Sequence, residues 1–323
     1  MVPIFKEKIW GGRNLKKILN KKIPKNKYVG EDWEAADFGT NQSKIANGYL
    51  KGKSLNFACR LWGKRLFGKN YRGRFPLFIK FIDARQPLSV QVHPDNYYCK
   101  KKDPSNTGKK ETWIVLHSDK DSRILCGVKK RLSKIQFSNA VKKNVIEKFL
   151  KSYKVKKGDC IQINPGTIHS LKAGVLVLEI QQASDTTYRI YDYGRTDGNG
   201  TLRQLHLDKA IDVVDLNPKN CLIKPRIIHR DRFFTEELIA DEKEYRIERL
   251  VVLNRVQRKL NKRSFQIVCV ISGKASLMCN GNAYRLFKGD VWIIPAEISK
   301  FEIQNLKPKR TSEIILVEGG RIV

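Results

Sequence analysis

Four residues combine types and spacings that can do chemistry: Gln91, His93, Glu111 and His169. Gln91 and His93 lie two apart in Leu88-Ser89-Val90-Gln91-Val92-His93, so on a β-strand they share a face with Ser89, while Leu88, Val90 and Val92 take the other face. Glu111 opens the apolar run Thr112-Trp113-Ile114-Val115-Leu116, and His169 follows the turn at Pro165-Gly166. Two imidazoles, a carboxylate and an amide oxygen suit one divalent ion such as zinc, and a coordination position left to water or substrate would make it catalytic. Taken singly, each residue has an ordinary explanation. A strand histidine is usually a hydrogen-bonded core residue, a glutamate at a strand start is usually solvated, and glutamine is an uncommon ligand. The remaining histidines, His117, His206 and His229, have no partner at inward-facing spacing. The seven cysteines are odd in number and form no Cys-x-x-Cys, so a disulfide framework or thiolate zinc site is not expected. A metal here must take N and O donors.

Positioning such residues requires strands, and strand-like segments dominate. Residues 75–82, 87–93, 112–117, 160–164 and 175–181 are short, β-branched or aromatic, and bounded by Gly, Pro, Asn or Asp. Residues 131–153 differ: Leu132, Ile135, Val141, Val145, Ile146, Phe149 and Leu150 recur at near-helical spacing, which predicts a small helical insertion with Ser138 or Asn139 as its cap. After a break near residues 217–225, strands return at 246–253, 265–271, 275–279, 291–294 and 312–317. We therefore expect a mainly β protein of two domains, 1–220 and 221–323. Lys157-Gly158-Asp159-Cys160-Ile161-Gln162-Ile163-Asn164-Pro165 in the first block is matched by Lys288-Gly289-Asp290-Val291-Trp292-Ile293-Ile294-Pro295 in the second. Gly-Asp supplies a tight turn, the apolar run a buried strand, and proline its end. This repeat resembles the signature of cupins, jelly-roll β-barrels built of two sheets. The first copy leads to His169 and the second to Ser299, so a metal is expected only in the first barrel.

The chain has 323 residues and a formal net charge of +32. Such basicity suits nucleic acid, an anionic membrane or a phosphorylated substrate. The lysine runs are not interleaved with aromatic residues, and no nucleic-acid-binding motif accompanies them, so a nucleic-acid partner is not expected. No apolar run approaches the ~20 residues of a membrane span, and Met1–Trp10 lacks a signal-peptide core. The expected location is the cytoplasm.

Longer motifs carry a resemblance. Residues 86–95 (QPLSVQVHPD), 108–113 (GKKETW), 164–170 (NPGTIHS) and 178–195 (LEIQQASDTTYRIYDYGR) are similar to type I mannose-6-phosphate isomerase, and residues 5–12 (FKEKIWGG) to the start of its short bacterial form. The similarity runs from about Ile4 through His206, with several motifs in the family's order. It implies an enzyme interconverting mannose 6-phosphate and fructose 6-phosphate with one zinc ion per chain. It places the metal ligands on Gln91, His93, Glu111 and His169, the four that the spacing singled out. It puts the catalytic arginine on Arg189, a candidate base on Glu179, and the substrate-holding serine and lysine on Ser89 and Lys109. Arg195 aligns with a lysine of longer relatives, and Glu31–Asp37 departs from the family's usual version of that segment. Two other readings are compatible with the residues alone: another metal-cupin enzyme, such as an oxygenase holding iron through two histidines and a carboxylate, or a non-catalytic sugar-binding or regulatory cupin.

Overall fold

The computed structural model describes residues 1–70, 73–196, 200–307 and 309–320. Its strands assemble into two pairs of antiparallel sheets. A seven-stranded sheet runs in the order Ile4–Gly12, Val29–Ala35, Leu77–Ala84, Val175–Gln182, Glu111–Ser118, Cys160–Ile163, Leu222–Ile223. Facing it is a five-stranded sheet ordered Tyr188–Tyr191, Val90–Val92, His169–Leu171, Arg123–Val128, Leu150–Lys154. The second pair joins a six-stranded sheet, Arg226–Arg230 through Val291–Ile294, to a four-stranded one. These are two double-sheet jelly rolls of the cupin type.

The seven-stranded sheet is buried on both faces. Period-two alternation sends Ile82, Trp113, Val115, Ile161, Ile163 and Val177 inward, toward the five-stranded sheet. It sends Phe81, Ile114, Leu116, Leu178 and Ile180 outward. Those outward residues share one core with Tyr245, Ile247, Phe265, Ile267, Ile315 and Val317 of the six-stranded sheet. That is why Leu77–Ala84 is buried at every position and is apolar on both faces, interrupted only by Lys80 and Asp83, rather than alternating. Polar contacts pin the seam. Arg249 Nη2 donates to Gly158 O at 2.7 Å, and Lys110 Nζ pairs with Glu242 at 2.8 Å.

The repeated turn folds identically in both halves. Gly158 and Gly289 take φ of +94° and +91°, a region that side chains strain to enter. Asp159 accepts from Lys156 N at 2.9 Å, and Asp290 from Phe287 N at 2.8 Å. The strands Cys160–Ile163 and Val291–Ile294 then leave the turns in equivalent positions.

Two sequence expectations shift. The strand expected over 87–93 spans only Val90–Val92, because Pro87 and Pro94 bracket it and lack the N–H that a ladder needs. The helix expected over 131–153 covers Lys134–Lys142. Its cap is Ser133, in a reciprocal pair with Gln136, and not Ser138 or Asn139. Asn144, at φ +57°, ends it. Ile146–Phe149 forms a 3-10 turn, and Leu150–Lys154 joins the edge of the five-stranded sheet. Among the described residues no helix is long and apolar enough to cross a membrane.

Phe265 sits where the halves meet, with ring centroids 4.9 Å from Phe75 and 5.9 Å from Phe67. Phe265→Ala should cost about 3–5 kcal/mol of stability, because the rigid sheets around it cannot collapse onto the space left. Chemical denaturation checks this; a loss under about 1 kcal/mol would mean that the seam carries little of the stability.

Candidate metal centre and active-site cavity

Both sheets of the first jelly roll contribute to one buried cluster. Glu111 points inward from the seven-stranded sheet, opposite Ile163 and two residues from the inward Trp113. Gln91 and His169 are register partners on the five-stranded sheet. His93 lies just past the end of Val90–Val92, where its carbonyl accepts from Gly166 N at 2.8 Å and so ties it to the turn that delivers His169. One potential ligand atom from each of His93, Glu111 and His169 lies within 4.8 Å of the others, and all three residues are buried. No other such His/Cys/Asp/Glu group occurs among the described residues.

The electrostatics of this cluster call for a cation. His169 Nδ1 lies 2.8 Å from Thr167 O, a contact that makes Nδ1 a donor and, in the neutral ring, puts the lone pair on Nε2. That Nε2 faces Glu111 Oε1 at 3.2 Å, so two acceptors point at each other inside the protein. Neither Glu111 oxygen accepts a well-aligned hydrogen bond. His93 Nε2 faces Glu111 Oε2 at 3.5 Å. Burial, helped by the nearby Lys109 ammonium, pushes His93 down to about 3, so it too offers a neutral imidazole. Burial alone would raise Glu111, but Lys109 and His93 hold it well below the ordinary carboxylate range. Gln91 Nε2 lies 3.3 Å from His169 Nε2, and a half-turn of the amide would present its oxygen instead. An anionic carboxylate between two buried imidazoles, with an amide oxygen in reach, fits a divalent ion with N and O donors.

The cluster opens onto a cavity of about 260 Å³ lined by Ser89, Gln91, Lys109, Glu179 and Arg189. The sequence-derived residues therefore converge. Glu179 accepts from Trp113 Nε1 at 2.8 Å and pairs with Lys80 at 2.8 Å. Burial raises its pKa against the pull of Lys80. Arg189 pairs in register with Gln91, and its Nη1 donates to Gln204 O at 2.7 Å. Burial and the neighbouring Arg203 lower its pKa. Lys109 sits deeper than a surface lysine, 2.8 Å from Glu111 Oε2 and 3.2 Å from His93 Nε2. Arg195 does not line the cavity; it holds Asp192 and the carbonyl of Pro87.

Sequence reasoning missed Lys8, Glu31, Lys80, Asp185 and Arg203, which also line the cavity. Lys80 did leave a signal, a lone lysine within an apolar strand buried at every position. Arg203 left none.

Comparisons with known proteins give the family. Residues 1–108 match the family described as phosphomannose isomerase type I, catalytic domain, and residues 242–306 the mannose-6-phosphate isomerase cupin domain. The mannose-6-phosphate isomerase ManA of Bacillus subtilis is 34% identical over 307 residues, 94% of each chain. The mannose-6-phosphate isomerase of Streptococcus mutans is 32% identical over 299 residues, 92% of each. The crystal structure of the mannose 6-phosphate isomerase from Bacillus subtilis superimposes with a TM-score of 0.89 at 32% identity, covering 98% of both chains. Fold and site thus define a cupin isomerase with a candidate metal site. The chain belongs to the type I mannose-6-phosphate isomerase family.

His169→Ala should remove metal retention. Elemental analysis after gel filtration checks this, and a full equivalent of metal in the variant would displace His169 from the ligand set.

Proposed function

We propose that this protein is a zinc-dependent aldose–ketose isomerase that interconverts D-mannose 6-phosphate and D-fructose 6-phosphate through a cis-enediol. The observation that carries the reading is the opposition of His169 Nε2 and the Glu111 carboxylate, 3.2 Å apart, beside a cavity rimmed by cations. The names of the relatives supply the substrate. Gln91, His93, Glu111 and His169 would hold one zinc ion per chain. When bound, that ion would polarise the sugar carbonyl and so acidify the adjacent carbon.

The chain's own groups do the rest. Glu179, buried and held by Trp113 and Lys80, takes the proton from C2 of the aldose and returns it to C1, while the hydroxyl proton passes from O2 to O1 of the enediol. Its raised pKa brings it closer to neutrality, where a base works best. Arg189, whose Nε is buried without a hydrogen-bond partner, stabilises the negative charge that develops on the enediol oxygens. Lys109 adds positive charge at the same end, because it sits among the proposed ligands. Ser89 offers a hydroxyl further along the cavity. We assign the catalytic domain to residues 1–220 and a metal-free cupin domain to 221–323. The partner is a small sugar phosphate rather than nucleic acid or membrane, and the place of action is the cytoplasm.

Turnover of mannose 6-phosphate should vanish with a chelator and return on adding zinc; a rate indifferent to chelation would remove the metal from the reaction. Arg189→Ala should lower kcat by about 10²–10³-fold with the metal content unchanged. A wild-type kcat would dismiss Arg189 from that role.

A further inference from the structure

We propose that Arg203, held by the buried Asp192, is the anchor for the substrate's phosphate; this rests on the isomerase reading above. The carbons between C2 and C6 of a hexose 6-phosphate keep the phosphate away from the reacting end. The cavity must therefore hold its charges at two separate places.

Strand register shows where the second place lies. Along Ser89-Val90-Gln91-Val92-His93, a rise of about 3.3 Å per residue puts Ser89 about 7 Å from Gln91 and about 13 Å from His93. Tyr188–Tyr191 runs antiparallel beside it, with Arg189 opposite Gln91 and Tyr191 opposite Val90. Moving from Arg189 to Asp192 therefore moves away from the metal cluster and toward Ser89. Arg195 fixes that end by donating to Pro87 O at 2.6 Å. Arg203 Nη1 donates to Asp192 Oδ1 at 3.2 Å and to Oδ2 at 3.0 Å. Arg203 and Ser89 thus line the same end of the cavity.

The other cavity cations are committed elsewhere. Lys109 pairs with Glu111, Lys80 with Glu179, and Lys8 with Glu31 at 3.4 Å. Arg189 has no carboxylate partner among the described residues, but its Nη1 donates to Gln204 O at 2.7 Å and its strand position opposite Gln91 sets it at the metal end. Among the described residues Asp192 is one carboxylate shared by two guanidiniums, Arg195 and Arg203, so this corner keeps a net positive charge. Asp192 is 4% exposed and tethers Arg203 through Nη1 alone, so the guanidinium's other N–H groups can make a forked contact to phosphate oxygens. Asp192 is a positioning residue, since it acts through the guanidinium.

The test compares wild type, Arg203→Ala, Arg203→Lys and Asp192→Asn as zinc-loaded full chains. Arg203→Ala should raise KM for mannose 6-phosphate about ten- to a hundredfold and weaken binding of inorganic phosphate, measured by calorimetry, by a similar factor. Its kcat should stay within about threefold of wild type. Arg203→Lys should recover part of the affinity. Asp192→Asn should raise KM without lowering kcat. Unchanged KM and unchanged phosphate binding in Arg203→Ala would overturn the proposal. So would a fall in kcat alone. If wild type fails to turn over mannose 6-phosphate, the isomerase reading falls, and calorimetry with inorganic phosphate still decides whether Arg203 is an anion site.

Discussion

A carboxylate and an imidazole nitrogen face each other 3.2 Å apart inside the protein, and much of the first jelly roll is arranged around that opposition. Glu111 is wholly buried, ionised by its surroundings, and set between two buried histidines. An anion without a counter-charge is costly in a protein interior. Lys109 supplies one positive charge at 2.8 Å, but it approaches a single oxygen and leaves the lone pair of His169 aimed at the other. A divalent ion would satisfy every one of these donors at once. Because Glu111 comes from one sheet and Gln91 and His169 from the other, such an ion would also clamp the two sheets together.

The requirement for rigidity explains the architecture behind the cluster. Glu111 and Glu179 lie on adjacent strands in the middle of the seven-stranded sheet, with Trp113 donating from one strand to the carboxylate on the next. The strand carrying Lys80 lies on the other side of Glu179 and supplies its counter-charge. Burying the outer face of this sheet against the second jelly roll holds in place the strands that carry these side chains. Lys80 and Glu179 each supply the other's nearest counter-charge, at 2.8 Å. Burial lowers the lysine pKa and raises the glutamate pKa, and the pairing works against both.

The sequence was legible where local pattern and tertiary demand coincide. Glycine and aspartate at both turns, apolar runs after them and proline at their ends gave the repeat, because those residues act through the backbone. Gln91 and His93 could be placed on one face because strand alternation is strict. The end of the helical stretch was not legible. Val145, Ile146 and Leu150 fit a helical period and a strand equally well, and the edge of the five-stranded sheet claimed the last of them. The cavity wall was legible only in part. Lys80 betrays itself by interrupting a buried apolar strand, whereas Arg203 sits in a loop whose proximity to Asp192 depends on how the chain returns across the sheet.

The two jelly rolls share a turn but not a purpose, and the difference lies in what fills the space behind it. In the first, the chain after the turn brings His169 into the interior, among polar and charged groups that face one another. In the second, the matching Ser299 is exposed and the interior is filled by Leu250, Val268, Leu277, Phe301 and Ile303. An apolar interior packs to high density and needs no ligand to satisfy it. A barrel that hosts a charged site forfeits part of that packing on its inner face. The seven-stranded sheet regains it on the outer face, through the shared core with Tyr245, Phe265 and Val317. The second jelly roll thus contributes to the site without touching it, by holding the strand that carries Glu111 against a surface that does not yield.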